Sequence, residues 1–307
     1  MNKRNWTQNN IPDLTGKTII VTGANTGLGF ESVKAFARNG ANVVMACLSL
    51  EKGETARKQL VRINPSSIIQ VIRLDLADLN SIRDFAVTFK QSHAHLDVLL
   101  NNAAVIMTPY SLTKEGFESQ MGINHLGHFA LTGVLLDVLK KSPKSRVVTV
   151  SSLNHKQGVM DFDNLLFENG KDFTPMQAYA RSKLCNLLFT AELQRFFESK
   201  SINCMAVAAH PGISNTRNLG REQKNLLLKI YNLSLQDVIQ PASMGALPEI
   251  RASVDPDIHP GDYFGPGGML EFSGYPVLVK PKKIVFDPEI AQRLWNVSEK
   301  LTSVTYM

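Results

Sequence analysis

What narrows the options for this chain most is an alternation. The apolar, β-branched runs KTIIVTG (17–23), ANVVMAC (41–47), IIQVIRLDL (68–76), LDVLLNNAA (96–104), SRVVTVSS (145–152) and INCMAVAAHPG (202–212) are separated by segments of helical period at 29–40, 51–63, 79–92, 123–141 and 178–198. Short strands that are apolar on both faces need cover on both, and intervening helices supply it. The pattern therefore predicts an α/β fold, a doubly wound parallel sheet with helices on both faces. Ligands in that plan sit beyond the carboxyl ends of the strands. No linker, repeat or low-complexity tract interrupts the pattern, so residues 1–307 read as a single domain. Within it, 1–14 form an N-terminal extension and 15–212 the core. The portion 213–307, with its apolar runs and its proline- and glycine-rich stretch at 255–288, is expected to face substrate.

Composition removes several function classes. The net charge is +6, but the basic residues are spread among acids, which argues against nucleic acid as a partner. Three cysteines, Cys47, Cys185 and Cys204, have neither metal-site spacing nor the density of a disulfide scaffold, so no metal is expected and the thiols read as reduced and buried. No stretch approaches the ~18 apolar residues of a membrane span, and the N-terminus has no apolar targeting segment. The expectation is a cytoplasmic protein without a membrane span.

Three local patterns carry chemistry. TGANTGLG (22–29) links the first strand to the first helix; glycines there permit a tight turn and close backbone approach to a pyrophosphate, favoured by the free N–H groups and positive dipole of the helix start. A plain strand-to-helix turn explains the same residues. Asp75 in LDL can cap a helix or accept from an adenine amino group, and Asn102 in NNAA can stabilise a turn; both stand at strand ends where this architecture holds its ligand.

The third pattern occurs twice. Tyrosine-x-x-x-lysine appears as YSLTK (110–114) and YARSK (179–183). The first follows a proline and lacks the spacing of a helix, so Tyr110 and Lys114 need not face one way. The second opens a segment with a buried stripe at Leu184, Leu187, Leu188 and Ala191, which puts Tyr179 and Lys183 one turn apart on one face. A nearby ammonium favours a phenolate and brings tyrosine closer to a working proton shuttle. Ser152 can hold a carbonyl or alkoxide oxygen, while Asn124 is either a helix irregularity held by its side chain or part of a water relay behind Lys183.

Together TGANTGLG, LDL, NNAA, Asn124 in INHLGHF, VVTVSS, YARSK and HPG (210–212) resemble the short-chain dehydrogenase/reductase family, in order from about residue 15 to 216. SLTKEGFE, NHLGHF, RSKLCN and AVAAHPG resemble its retinol dehydrogenase and WW-domain-containing oxidoreductase branch. The resemblance implies a Rossmann-type fold, a nicotinamide cofactor and a catalytic tetrad of Asn124, Ser152, Tyr179 and Lys183. It implies cofactor contacts from Gly23, Asn25, Thr26, Gly27, Leu28 and Gly29, from Ser49, from Asp75 and Leu76, and from Asn102, Ala103 and Ala104. Tyr179 and Lys183 join these, as do Pro211, Gly212, Ile213 and Thr216 at the nicotinamide end.

The implied reaction is hydride transfer to or from a lipophilic alcohol, aldehyde or ketone, with Tyr179 as general acid/base. A homodimer or homotetramer is the family's habit. A noncatalytic dinucleotide sensor or interaction module is the alternative. Three departures stand out. Ala104 replaces a usual glycine, 153–178 lengthens the interval to Tyr179, and Leu48 occupies the place of an arginine that faces the 2′-phosphate of NADP. No acidic residue takes over to bind a ribose diol, and Ser49, Thr26, Asn25 and Lys52 remain for a phosphate, so NADP is favoured and NAD stays open.

Overall fold

The computed structural model of the protein describes residues 5–215 and 239–307. The predicted runs become strands β1 (Thr18–Thr22), β2 (Asn42–Cys47), β3 (Ile68–Arg73), β4 (Val98–Asn101), β5 (Ser145–Val150) and β6 (Cys204–Ala209), all paired in parallel. β1 is buried along its whole length, as a strand covered on both faces must be. Ser214–Asn215 (β7) and Gln240–Pro241 (β8) form a separate parallel pair. The sheet is completed by β9 (Tyr263–Pro266), parallel to β6, and β10 (Pro276–Leu278), antiparallel to β9. These two strands extend the sheet beyond β6, the second turning back as a hairpin partner.

Read from one edge the order is β3-β2-β1-β4-β5-β6-β9-β10. The chain reverses direction between β1 and β4, and a crevice opens above their carboxyl ends at such a switch point. Helices α1 (Gly27–Arg38) and α2 (Leu50–Ile63) cover one face, with α8 (Ala242–Gly245) and α9 (Leu247–Val254) beside them. The other face carries α3 (Leu79–Ser92) and α4 to α6 (Ser119–Met121, Gly127–Val134, Leu136–Leu139), then α7 (Pro175–Ser199) and α10 (Pro288–Thr302). Val33, Phe36, Leu60 and Ile250 fill the first interlayer; Phe85, Phe89, Phe129 and Phe197 fill the second. Trp6, Ile11 and Leu14 are buried in the first interlayer, so the N-terminal extension packs onto the core.

The helix read at 123–141 is interrupted. A π turn spans Gly122–Leu126 between short α-helices, and such turns recur where a backbone group or side chain must be aimed. Helix starts follow local rules: Ser49 accepts from Lys52 N–H, Asp78 from Asn80 and Ser81 N–H, and Thr174 from Gln177 N–H ahead of Pro175. The cysteines are free and buried, their thiols pushed up to about 12 by burial, so none is a nucleophile at neutral pH. No helix among the described residues is long and apolar enough to cross a membrane.

Candidate active site

A cavity of about 380 Å³ opens over the β1/β4 switch point. Gly23, Asn25, Thr26, Gly27 and Leu28 line it from the glycine turn, with Gly23 (φ 66°) and Gly27 (φ 60°) in left-handed backbone. Gly29 lies beneath the turn, where an added Cβ would meet Asn102 Nδ2 and Gly23 O at 2.7 Å each. Thr26 stands at the N-cap of α1 without a side-chain bond to its amides, and the first turn holds no acid. Its first amides and dipole are therefore left for an anion.

The opposite rim is Asn102, Ala103 and Ala104. It is fixed by one threonine. Asn102 and Ala103 N–H both donate to Thr22 Oγ1 at 2.9 Å, and Asn102 Nδ2 donates to Thr22 O at 2.7 Å. His128 Nδ1–H donates to the Asn124 carbonyl (3.1 Å), so its Nε2 accepts the Thr22 hydroxyl at 2.9 Å. Burial pulls this imidazole down to about 4, which keeps it neutral and the arrangement intact.

At the β2–β3 end the cavity is lined by Leu48, Ser49, Lys52, Asp75 and Leu76. Leu48 is 63% exposed. Ser49 spends its hydroxyl on the cap of α2. Lys52 has no acidic partner among the described residues. Asp75 accepts Ala77 N–H at 3.0 Å and faces Arg73 at 3.8 Å; the capping role considered for it belongs to Asp78, three residues on.

Ser152, Tyr179 and Lys183 gather at the end of β5. Tyr179 and Lys183 are buried and line the cavity, with Lys183 Nζ 5.8 Å from the Tyr179 ring centre. Burial pushes the Tyr179 phenol up to about 12, while the Ser152 hydroxyl beside it favours the phenolate. Lys183 donates to Val150 O at 2.9 Å and is drawn down to about 8 by burial, opposed by the field of Glu249. Burial therefore dominates the phenol, and what opposes it comes from Ser152 and not from Lys183, to which the tuning was assigned. Ser151 hydrogen-bonds the Lys183 carbonyl (2.8 Å), leaving Ser152 as the serine at the phenol.

Asn124 stands off the cavity as a brace. Its Oδ1 accepts Val105 N–H (2.9 Å), and its Nδ2 donates to Val105 O (2.9 Å) and Ser182 Oγ (3.0 Å), tying the loop after β4 to α7. Ser152, Gly212 and Ile213 also lie off the lining, whereas Pro211 is on it; Thr216 lies outside the described residues. Val105, Ile106 and Ile123 line the cavity and escaped the sequence reading. Apolar residues immediately after NNAA and at the π turn were the available signal.

YSLTK forms no helix. Tyr110 is 36% exposed and edges onto Phe173, while Lys114 pairs with Asp78. Residues 153–174 run through 3-10 and irregular turns before α7 starts at Pro175, pinned by Arg181, which donates to the carbonyls of Val159, Asn164 and Leu165 and stacks on Phe167.

The short chain dehydrogenase family model matches residues 17–164. The chain is 37% identical to human retinol dehydrogenase 13 over 302 residues, spanning 95% of this chain and 86% of that protein. It is 38% identical to the WW domain-containing oxidoreductase of Danio rerio over 296 residues, 94% of this chain and 69% of that protein. A solved structure of an uncharacterised protein from Mycobacterium paratuberculosis is 37% identical with a TM-score of 0.82 over 99% of each chain. Salutaridine reductase from Papaver somniferum shares the fold at 22% identity and TM-score 0.63, over 80% of this chain and 99% of that one.

Proposed function

The chain belongs to the short-chain dehydrogenase family, in its retinol dehydrogenase-like branch, and from that premise we propose that this oxidoreductase moves hydride between a nicotinamide dinucleotide and a lipophilic alcohol, aldehyde or ketone. The observation that carries the reading is the grouping of Ser152, Tyr179 and Lys183 at the end of β5, beside a cavity floored by the glycine turn.

The cavity suits the cofactor. Gly23 and Gly29 let the turn pack against Asn102 and Ala103 where a Cβ would clash, which shapes the cavity's floor, and the uncapped start of α1 offers amides to a pyrophosphate. When bound, the nicotinamide supplies or receives the hydride. Tyr179, protonated up to about pH 12, delivers its proton to a carbonyl oxygen in reduction and would take the alcohol proton in oxidation. Ser152 holds the same oxygen by its hydroxyl. Lys183, charged below about pH 8, stabilises a phenolate as it forms and would hold a ribose hydroxyl of the bound cofactor. Asn124 contributes by fixing α7 against the loop after β4. Asp75, Leu76, Asn102, Ala103 and Ala104 would flank the cofactor, and Pro211, Gly212 and Ile213 would meet its nicotinamide end. Val105, Ile106 and Ile123 support an apolar substrate.

For the cofactor we favour NADP over NAD, on the ammonium of Lys52 at the Leu48–Ser49 corner, which has no acidic partner among the described residues. Titrating the protein with NADPH and with NADH by nicotinamide fluorescence tests this, followed by NADPH oxidation against lipophilic aldehydes and ketones. Tighter NADPH binding and turnover that Tyr179→Phe abolishes are expected. Binding of neither nucleotide would overturn the reading.

A further inference from the structure

Glu271 lies on the turn 267–274 between β9 and β10, and it follows Leu270; both have left-handed backbone, at φ 61° and φ 52°. Non-glycine residues hold that backbone only where surrounding contacts over-determine it. The contacts here come from two separate walls.

The first wall is the turn after β6. His210 is fully buried, its Nδ1 accepts Gly212 N–H (3.2 Å), and its Nε2–H therefore donates to Glu271 Oε2 at 3.0 Å. Ile213 N–H donates to Phe272 O at 2.8 Å. Gly212 (φ 64°) packs so closely that a Cβ would fall 2.3 Å from that oxygen. Gln240 adds a clasp, donating to Pro211 O (2.7 Å) and accepting Gly274 N–H (3.1 Å). The second wall is the 3-10 turn Leu153–Gln157 that Ser152 caps: its Lys156 Nζ donates to Glu271 Oε1 at 3.1 Å.

A surface ion pair alone contributes little, but this carboxylate takes a directional bond from a buried imidazole as well. The His210 bond, foremost, holds Glu271 below the usual carboxylate range, so it stays ionised at neutral pH. Met269 and Leu270, 70% and 69% exposed, make the tip of the turn apolar.

We propose that Glu271 is a positioning residue whose carboxylate fixes the 267–274 turn to the Pro211–Ile213 turn and to the Ser152 turn together, and so sets the entrance through which a lipophilic substrate reaches Tyr179. The last clause rests on the function proposed above. The device has no local sequence signature, because the partners are 61 and 115 residues away.

Hydrogen exchange on the full-length protein tests the latch without a known substrate. In Glu271→Gln the amides of Gly212 and Ile213 are expected to exchange at least about tenfold faster, with those of β4 and β5 changed less than about twofold. Lys156→Met should loosen 267–274 and Lys156→Arg should restore it. With decanal and NADPH as probes, Glu271→Gln should raise KM about tenfold and leave kcat within about threefold, whereas Tyr179→Phe removes kcat and keeps NADPH affinity. Unchanged exchange, or equal acceleration in β4 and β5, overturns the latch, and an unchanged KM alongside normal turnover overturns its role at the entrance. If the wild type neither binds NADPH nor turns over decanal, the functional reading falls, and exchange still decides whether Glu271 fixes the two walls.

Discussion

Residues 110–114 and 179–183 share one spacing, tyrosine-x-x-x-lysine, and differ in everything that the backbone supplies. In 179–183 the helix α7 turns both side chains to one face, buries them to 7% and 2% exposure, and points that face at the cavity over β1 and β4. In 110–114 an irregular segment leaves Tyr110 against Phe173 and sends Lys114 to Asp78 at the start of α3. Spacing becomes chemistry only when a helix makes i and i+4 neighbours and a sheet edge provides something for them to meet. The 110–114 motif has another use: Lys114 N–H donates to Ala77 O (3.1 Å) and Glu115 Oε1 accepts Leu79 N–H (2.8 Å), so the segment props the turn that carries Asp75 and Leu76.

The sharpest way to break this contrast is to remove the phenols in turn. Tyr179→Phe should lower kcat by more than about a thousandfold, since it removes the proton donor but not the cavity, and Tyr110→Phe should leave turnover within about twofold. Comparable losses in both, measured as NADPH oxidation with an aldehyde, would mean that the cavity lining misidentifies the acid. The lysines come next. Lys183→Met should weaken NADPH binding and lower kcat by about a hundredfold, as a buried charge at the phenol is lost. Lys114→Met should change neither.

The lysines also sit in opposite electrostatic surroundings, and pH separates them. Glu249 on α9 is fully buried, accepts Ser32 Oγ at 2.7 Å, and is raised to about 8 by burial. A group raised in the folded state adds stability that is fully present below its unfolded value, near 4.5, and is lost as pH climbs through about 8. Lys183, lowered to about 8, behaves in reverse: the folded protein sheds that proton first, so stability rises with pH between about 8 and 10.5. Urea unfolding at pH 5, 6.5 and 8 should show the stability difference between wild type and Glu249→Gln shrinking by on the order of a few kcal/mol as pH rises, superimposed on the opposite rise that His125, His128 and His155, lowered by burial, give both proteins up to about pH 6.5. The same variant loses the field that supports the Lys183 charge, so the alkaline limb of NADPH binding should move to lower pH. An unchanged limb would uncouple the two groups.

Much of this was legible because it is periodic. The six parallel strands and the helices between them follow from apolar runs alternating with 3.6-residue patterns, and the boundaries of β2, α2 and α3 fall within one residue of those read from sequence. The glycine turn and YARSK were legible because strand–turn–helix context and a buried stripe surround them. What escaped depends on distant partners. Nothing near Asn124 announces that its amide will clasp Val105 and Ser182, and the π turn that aims it is hidden inside an ordinary apolar segment. Burial decides the acidity of Tyr179 against the hydroxyl of Ser152, a balance that spacing cannot weigh. Glu271 meets His210 and Lys156 only because β9 and β10 extend the sheet beyond β6.

The smallest predicted effect is the one at Asp78, and it separates the prop at 110–114 from the acid proposed at 179–183. Asp78 accepts Asn80 and Ser81 N–H at 3.0 and 3.3 Å as the N-cap of α3, and its pairing with Lys114 holds the carboxyl below its ordinary value. Asp78→Ala should cost about 1 kcal/mol through the lost cap. Asp78→Asn keeps a capping oxygen and loses only the charge, so most of that stability should survive at pH 7. Because the folded carboxyl is lowered, the ion pair's contribution is present above the unfolded value near 3.8 and fades as pH falls through the folded one, the opposite sense to Glu249. Asp78→Asn should therefore differ from the wild type at pH 6 and converge with it in acid, with turnover unchanged throughout. If turnover fell while stability held, the 110–114 segment would reach the chemistry through the Asp75–Leu76 wall, and the division between the two motifs would have to be redrawn at that wall.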